Sequence, residues 1–197
     1  MNLDAERERL LGLAESEISV AYLNECFVYD AETGVLTWKE RPQHHFVSPK
    51  VHKNFLARFP GKVAGYRKRS GYLAIYLAGG HRMAHRIIWA MVTGRWPEFI
   101  DHANRVKNDN RIENLRECSR SQNLHNAIQP PGASGLPGAM WHCNRWRTGL
   151  RIKGKFVKLG TFKTAEECSA AYVKAKNELC GEFSPFAAIA AERKGDR

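Results

Sequence analysis

A chain of 197 residues with 43% hydrophobic residues can fold as one large domain or as two small ones, each with a modest core. No run approaches about 18 apolar residues, which excludes a membrane-spanning helix. The N-terminus lacks the basic start and apolar stretch of a secretion signal, so we expect a cytoplasmic protein. Lys and Arg number 31 against 20 Asp and Glu, and the net charge of +11 favours nucleic acid over an anionic membrane surface as partner. The five cysteines form no Cys-x-x-Cys pair, which is typical of reduced thiols and not of a structural zinc site.

The first sixty residues predict a helix, a hairpin and a loop. Apolar residues recur at roughly helical spacing over residues 3–27. In Glu32–Trp38, a turn at Gly34 is followed by β-forming residues, which predicts a hairpin. Residues 40–60 carry few structural signals and are predicted to form a loop. The three histidines of this loop, which we expect to be solvated, are His44, His45 and His52.

The middle of the chain predicts two short strands and two helices. The strands are expected at residues 62–67 and 72–77, with a basic turn between them. A helix fits residues 84–92, because its apolar residues are followed by Gly94, a natural C-terminal stop. After a stretch of turns and short extended pieces, a further helix is expected from the N-cap residue Ser119.

A change of composition separates the last third of the chain. Residues 129–138 hold two adjacent prolines and three glycines, and residues 129–137 are predicted to be a linker. Beyond it, Thr164 and Glu167 form a capping box that opens a helix reaching about Leu179. The three strands expected before that helix are residues 138–142, 146–153 and 155–160.

Four residues in the middle of the chain carry a recognisable chemistry. Asp101 stands directly before His102, Asn114 lies twelve residues beyond the histidine, and Asn123 nine residues beyond that. Carboxylate and amide oxygens suit a hard cation such as Mg²⁺, and a neutral imidazole can accept a proton near physiological pH. A general base together with a Lewis acid is what hydrolysis of a phosphodiester requires.

This segment resembles the HNH nuclease motif, in the phage-type branch that pairs Asp-His with two downstream asparagines. The resemblance implies a ββα-metal fold in which Asp101 and Asn123 hold one Mg²⁺ or Mn²⁺ ion. It also implies that His102 is the general base and that Asn114 orients the imidazole through a hydrogen bond. An Asp-His pair among Asn-rich turns can also be a surface feature, but the full spacing favours the nuclease interpretation.

Two arginines and two histidines near the motif could be functional or only structural. Arg116 and Arg120 could contact phosphates or only solvate the surface. His81 and His85 are four residues apart and could share a metal ion. We favour packing of His85 beside the active-site ribbon, with His81 solvated, because a metal site needs more ligands.

The C-terminal segment contains Leu159-Gly-Thr-Phe-Lys-Thr-Ala-Glu-Glu-Cys-Ser-Ala-Ala-Tyr172, and it resembles the plant Apetala and ethylene-response-factor DNA-binding domain. The resemblance implies a three-stranded antiparallel sheet that lies in the major groove and packs on one helix. Strand alternation places basic residues on one face and Trp146, Leu150 and Ile152 on the other. Pro137, Met140 and Gly149 stand where the family often has an arginine or an acidic base-reading residue, whereas Arg151 matches a family arginine, so the family's sequence specificity is not inherited. The expected DNA-binding residues of this sheet are Arg147, Arg151, Lys153 and Lys158.

The two resemblances predict an α+β protein of five segments. These are an N-terminal helical segment (1–24), an HNH domain (25–128, with its ββα-metal core at about 84–128), a linker (129–137), the C-terminal DNA-binding domain (138–185) and a tail (186–197). We expect double-stranded DNA as the partner, no small-molecule cofactor, and a monomer or a homodimer.

The leading interpretation is a metal-dependent DNA endonuclease, similar to phage homing endonucleases, that is targeted by its C-terminal domain. A non-catalytic DNA-binding transcription regulator that retains an HNH shell is the alternative, and an RNA-directed protein is a third. One HNH site acts on one strand at a time, so a monomer would nick DNA and a dimer could break both strands.

Overall fold

The computed structural model describes residues 13–126, 132, 134–152 and 154–187. The contacts divide the chain into two compact units, Met1–Glu117 and Cys118–Arg197. Short helices and small antiparallel sheets occur in both units, which confirms the predicted α+β class. None of the described helices has the length and apolar character needed to cross a membrane.

Unit 1 is built from helices and three small antiparallel sheets. Its helices are α1 (Val20–Cys26), α2 (Pro49–Leu56) and α3 (Ala84–Thr93). Its strands are β1 (Phe27–Asp30), β2 (Val35–Trp38), β3 (Tyr66–Arg67), β4 (Leu73–Leu77), β5 (Gly80–Met83), β6 (Ile100–His102) and β7 (Leu115–Glu117). Strand β1 pairs with β2, β4 lies between β3 and β5, and β6 pairs with β7.

Helix α3 lies in the hydrophobic core of unit 1, as its sequence predicted. Ile87, Ile88 and Ala90 are fully buried there, together with residues of α1, β2 and β4. The helix ends where Gly94 adopts a positive φ of 78° and donates its N–H to Ala90 O at 2.9 Å. This left-handed cap is the stop that glycine was expected to provide.

Of the described residues, the helix expected over residues 3–27 is confirmed for Val20–Cys26 and wrong for residues 13–19. Residues 13–19 contain only a 3-10 turn, and α1 begins after Ser19, whose hydroxyl accepts the N–H of Tyr22 at 3.2 Å. Serine favours the cap over the helix interior because its hydroxyl competes for backbone groups. The chain leaves the helix at Phe27, which begins β1 in the predicted hairpin. Residues 3–12 lie outside the described part.

The loop predicted for residues 40–60 is also wrong. A 3-10 turn at Gln43–His45 precedes α2, which begins at Pro49 behind the N-cap Ser48. Serine at the cap with proline at the first helical position is a helix-start signal that the sequence already contained. Phe55 of α2 is buried against Trp38, with ring centroids 5.5 Å apart.

Two of the three histidines in this segment are held in the fold instead of being solvated. The side chain of His45, the last residue of the 3-10 turn, is only 2% exposed and packs against Tyr22 of α1. His52 places its Nε2 2.8 Å from the carbonyl oxygen of Arg41. Only His44 has the exposed side chain that was expected.

Helix α3 also fixes the start of β6, the strand that carries Asp101. Arg86 donates to the carbonyl oxygens of Pro97 at 2.6 Å and Glu98 at 3.0 Å. Trp96 donates its Nε1–H to Ile18 O at 2.8 Å. The chain that enters β6 is therefore tied both to α3 and to the N-terminal segment of unit 1.

Unit 2 contains a three-stranded antiparallel sheet with a helix packed on it. Its elements are α4 (Arg120–Asn126), β8 (Met140–His142), β9 (Arg145–Ile152), β10 (Lys155–Phe162) and α5 (Ala165–Cys180). Strand β9 lies between β10 and β8. Thr164 accepts the N–H of Glu167 at 3.2 Å, and Glu167 accepts that of Thr164 at 3.4 Å, which confirms the predicted capping box.

Candidate active site and nucleic-acid interface

The antiparallel ribbon β6–β7 carries the candidate catalytic residues of unit 1. Asp101 lies opposite Arg116, and His102 lies opposite Leu115. All three residues of β6 are buried, including the carboxylate and the imidazole. Buried polar side chains need partners, so the contacts of these two residues define the site.

His102 is held by an asparagine that the sequence interpretation did not select. Its Nε2 lies 3.0 Å from Oδ1 of Asn110, a side chain that is itself only 1% exposed. Because Oδ1 is an acceptor, the tautomer that satisfies this bond carries its proton on Nε2, and Nδ1 is the basic nitrogen. Asn110 belongs to the Asn-rich turn Asn108-Asp-Asn-Arg. The sequence does not show that this turn brings Asn110 within hydrogen-bond distance of the imidazole.

Two aromatic side chains pack against the His102 ring. The ring of His85 lies 4.9 Å away in an edge-to-face arrangement, and the ring of Tyr72 lies 5.7 Å away. This confirms that His85 packs beside the ribbon, whereas His81 is exposed and contacts Tyr66. Burial lowers the pKa of His102, against the raising effects of the Asn110 bond and the Asp101 charge. The imidazole of His102 is therefore neutral at pH 7 and able to accept a proton.

Asn114 is placed differently from the prediction that it bonds the imidazole. Its Oδ1 accepts the N–H of Asn104 at 2.9 Å, and its Nδ2 donates to Asp109 O at 2.8 Å. The amide therefore closes the loop between β6 and β7, from which Asn110 reaches His102. Asn114 positions the site through this loop, and the direct contact belongs to Asn110.

The predicted N-terminal hairpin supports the same loop from the other side. Tyr29 donates its hydroxyl to Asn110 O at 3.2 Å and accepts the N–H of Ile112 at 2.9 Å. At the hairpin turn, Gly34 has φ +72°, and a Cβ there would lie 2.5 Å from the backbone nitrogen of Arg111. Only glycine allows this close approach. The Glu32–Trp38 segment thus fixes the backbone that presents Asn110.

Asp101 pairs with Arg116 across the ribbon. The arginine donates from Nε at 3.0 Å and from one terminal nitrogen at 2.7 Å to Oδ2 of Asp101. The two side chains are 18% and 6% exposed, so the pair is largely shielded from water. The structure thus shows Arg116 paired with Asp101, and its contact with a phosphate stays a prediction.

The last residues of the motif lie in unit 2. Asn123, the second predicted metal ligand, lies on α4, where its N–H donates to Ser119 O at 3.0 Å. Its role as a ligand stays a prediction. Arg120 is the first residue of α4 and is exposed, as a phosphate-contacting residue would have to be.

One other side-chain cluster in the described part has the composition of a metal site. Glu25, His44 and His45 bring their ligand atoms within 4.8 Å of one another. However, Arg41 donates its Nε–H to His45 Nδ1 at 3.4 Å, and His45 Nε2 lies 2.9 Å from a Glu25 oxygen. The proton of His45 is therefore on Nε2, the atom a metal would need, and a guanidinium lies beside the ring. We interpret the cluster as a link between α1 and the 3-10 turn.

The sheet of unit 2 has one covered and one open face, as strand alternation predicted. On β9, Leu150 is buried against Tyr172 of α5 and Thr148 is buried as well, whereas Arg147 and Arg151 are exposed. Directly paired residues share a face, and Met140 pairs with Arg147 while Lys158 pairs with Gly149. The open face therefore gathers three of the predicted DNA-binding residues. The fourth, Lys153, lies outside the described residues.

Comparisons with known proteins agree with the site in unit 1. Residues 82–125 match the HNH endonuclease family. An uncharacterized HNH endonuclease of Acanthamoeba polyphaga mimivirus is 29% identical over 127 residues, which cover 59% of this chain and 32% of that relative. The chain thus spans about a third of the length of that relative. No solved structure matches the chain. Residues 82–125, from β5 through the β6–β7 ribbon to α4, are therefore the part of the chain that is similar to HNH endonucleases.

Proposed function

We propose that this protein is a metal-dependent DNA endonuclease in which His102 is the general base. The observation that carries the proposal is the buried imidazole on β6, whose Nε2 is bonded to Asn110 and whose pKa is lowered by burial. A histidine that only stabilised the fold would need neither the adjoining carboxylate nor the HNH spacing. The match of residues 82–125 to HNH endonucleases supports the same conclusion.

The reaction assigns one task to each side chain. Nδ1 of His102 takes a proton from the attacking water, whose oxygen forms a bond to phosphorus while the bond to the leaving oxygen breaks and that oxygen takes a proton from solvent. Asn110 keeps the Nε2 proton in place, and the charge of Asp101 favours the imidazolium that forms. General-base catalysis of this kind contributes roughly 10²–10⁴ in rate.

The buried carboxylate of Asp101 fits a hard divalent cation, for which oxygen ligands are preferred. We propose Asp101 as a ligand of Mg²⁺ or Mn²⁺, with Asn123 kept as the second ligand that the sequence predicts. When bound, the ion supplies Lewis-acid neutralisation of the scissile phosphate. Arg116, which bonds Oδ2 of Asp101, fixes the direction in which that carboxylate points.

We further propose that unit 2 binds double-stranded DNA with the open face of its sheet and so targets the cleavage. Residues 140–162 contain six Lys and Arg and no Asp or Glu, a composition suited to the phosphates of a duplex. A nuclease joined to a DNA-binding domain acts at high local concentration near the bound site. This organisation is similar to that of phage homing endonucleases, and we propose that role for the chain.

The test is cleavage of supercoiled plasmid by the purified full chain with Mg²⁺. We expect relaxed or linear product that disappears with EDTA and with His102→Ala. His81→Ala is the matched control, because it removes an exposed histidine of the same unit and should leave cleavage unchanged. The ratio of open-circular to linear product reports nicking against double-strand cleavage.

The alternative is a non-catalytic DNA-binding regulator. Salt-sensitive DNA binding without cleavage of several DNAs would support it and contradict the nuclease proposal. Cleavage that survives His102→Ala would instead contradict the assignment of the base.

A further inference from the structure

The open face of the unit 2 sheet has an apolar centre inside a basic rim. Phe156 is 59% exposed and Met140 is 48% exposed, although both are large apolar side chains. Phe156 pairs with Arg151 and Met140 pairs with Arg147, so all four side chains lie on this face. Such a surface is suited to bind a partner with negative charges that contact the basic rim and apolar groups that contact the centre.

Gly149 sets the position of the Phe156 ring. A Cβ at Gly149 would lie 2.3 Å from Cζ of Phe156 and 2.7 Å from the carbonyl oxygen of Val157. The aromatic ring therefore lies across the middle strand, over the point where any other residue would project. A cavity of about 220 Å³ opens beside it and is lined by Met140, Arg147, Thr148, Phe156 and Lys158.

The major groove of DNA offers one apolar group, the C5 methyl of thymine, among hydrogen-bonding groups. Neither Phe156 nor Met140 can read a donor or an acceptor on a base edge, whereas both can contact a methyl group. The arginines and Lys158 around them can hold the phosphates on either side.

We propose that Phe156 and Met140 read thymine methyl groups in the major groove, so that unit 2 selects duplexes with 5-methylated pyrimidines. This inference rests on the proposed binding of DNA by unit 2. Gly149 is part of the reader because it leaves room for the ring. The basic rim contributes affinity that does not depend on sequence.

The experiment compares alternating A·T duplexes with A·U duplexes, in which each uracil lacks only the C5 methyl. Binding of the full chain is measured by fluorescence anisotropy at fixed salt, with EDTA to stop cleavage. Each methyl contact should contribute about fourfold in affinity, so two contacts give roughly fifteenfold weaker binding of the A·U duplex. A G·C duplex should gain affinity when its cytosines carry a 5-methyl group.

The variants separate methyl readout from general binding. Phe156→Ala should weaken binding of the A·T duplex but not of the A·U duplex, and combining it with Met140→Ala should make the two affinities equal. Val157→Ala removes a neighbouring exposed side chain on the opposite face, and its A·T to A·U ratio should stay that of the wild type. Arg147→Ala should weaken both duplexes alike.

Equal binding of the A·T and A·U duplexes by the wild type overturns the inference and leaves DNA binding by unit 2 intact. That comparison needs no variant, so it holds even if a substitution prevents folding. Binding of neither duplex would remove the proposed DNA-binding role of unit 2 and the inference with it, whatever the plasmid assay shows for unit 1.

Discussion

Replacing Asn110 with alanine tests the assignment of the residue that orients the general base. The bond from His102 Nε2 to Asn110 Oδ1 is 3.0 Å long, and both side chains are at least 95% buried. Without its acceptor, the buried Nε2–H is left without this partner, which costs about 1–3 kcal/mol. Since about 1.4 kcal/mol corresponds to tenfold in rate, we expect cleavage to slow by roughly 10- to 100-fold.

The assay is the initial rate of plasmid cleavage at saturating DNA, with urea unfolding of each variant measured alongside. Asn110→Asp keeps an acceptor oxygen in nearly the same place, so its rate should lie closer to wild type than that of Asn110→Ala. This recovery separates positioning of the imidazole from a general loss of packing, since both substitutions alter the same buried position.

Asn114→Ala provides the contrast. Among the described residues, its amide bonds only backbone atoms of Asn104 and Asp109, so its loss should lower the free energy of unfolding and loosen the loop. Wild-type cleavage by Asn110→Ala would refute the assignment. So would a loss of cleavage by Asn114→Ala at unchanged stability, because Asn114 would then act on the imidazole itself.

Three further predictions concern stability. Gly34→Ala should lower the free energy of unfolding, measured by urea denaturation, by at least about 2–3 kcal/mol more than Gly61→Ala does. Both glycines have a positive φ, but of the two only a Cβ at Gly34 would clash with backbone atoms. Equal losses would contradict the close approach. Burial lowers the pKa of His85 to about 3 and that of His45 to about 4, so the unfolded chain binds protons that the folded one does not. Stability should therefore fall as pH drops below about 6.5, by up to about 1.4 kcal/mol per pH unit for each histidine, and urea titrations at several pH values should show it. Thr164→Ala should destabilise unit 2 by about 1 kcal/mol in thermal unfolding and leave plasmid cleavage intact at temperatures where unit 2 stays folded, because it removes only a helix cap.

Local patterns sufficed to predict much of the fold. The hairpin after Phe27, helix α3 with its Gly94 cap and the capping box of α5 all depend on residues within a few positions of one another. The two faces of the unit 2 sheet followed from alternation along β9. The loop predicted for residues 40–60 is wrong although the helix-start signal of α2, Ser48 followed by Pro49, is local and present in the sequence.

The partners within the site could not be predicted in the same way, because they depend on tertiary contacts. Tyr29 is 81 residues from Asn110, whose carbonyl oxygen it bonds. Motif spacing identified Asp101 and His102, but it could not decide which asparagine reaches the imidazole. Nor could it show that Arg116 turns toward Asp101, since exposed and paired arginines look alike in a sequence.

The residues proposed to be functional lie in opposite environments in the two units, buried in unit 1 and exposed in unit 2, and this difference decides how their substitutions are interpreted. In unit 1, hydrogen bonds link the buried side chains of His102 and Asn110 to each other and that of Asp101 to Arg116. A substitution at any of these residues therefore changes the free energy of unfolding as well as the chemistry. Arg147 and Phe156 are exposed on the open sheet of unit 2, where truncation leaves no buried group without a partner. A loss of cleavage in unit 1 therefore indicates catalysis only when it exceeds the loss of folded protein. A loss of affinity in unit 2 can be assigned to the contact itself.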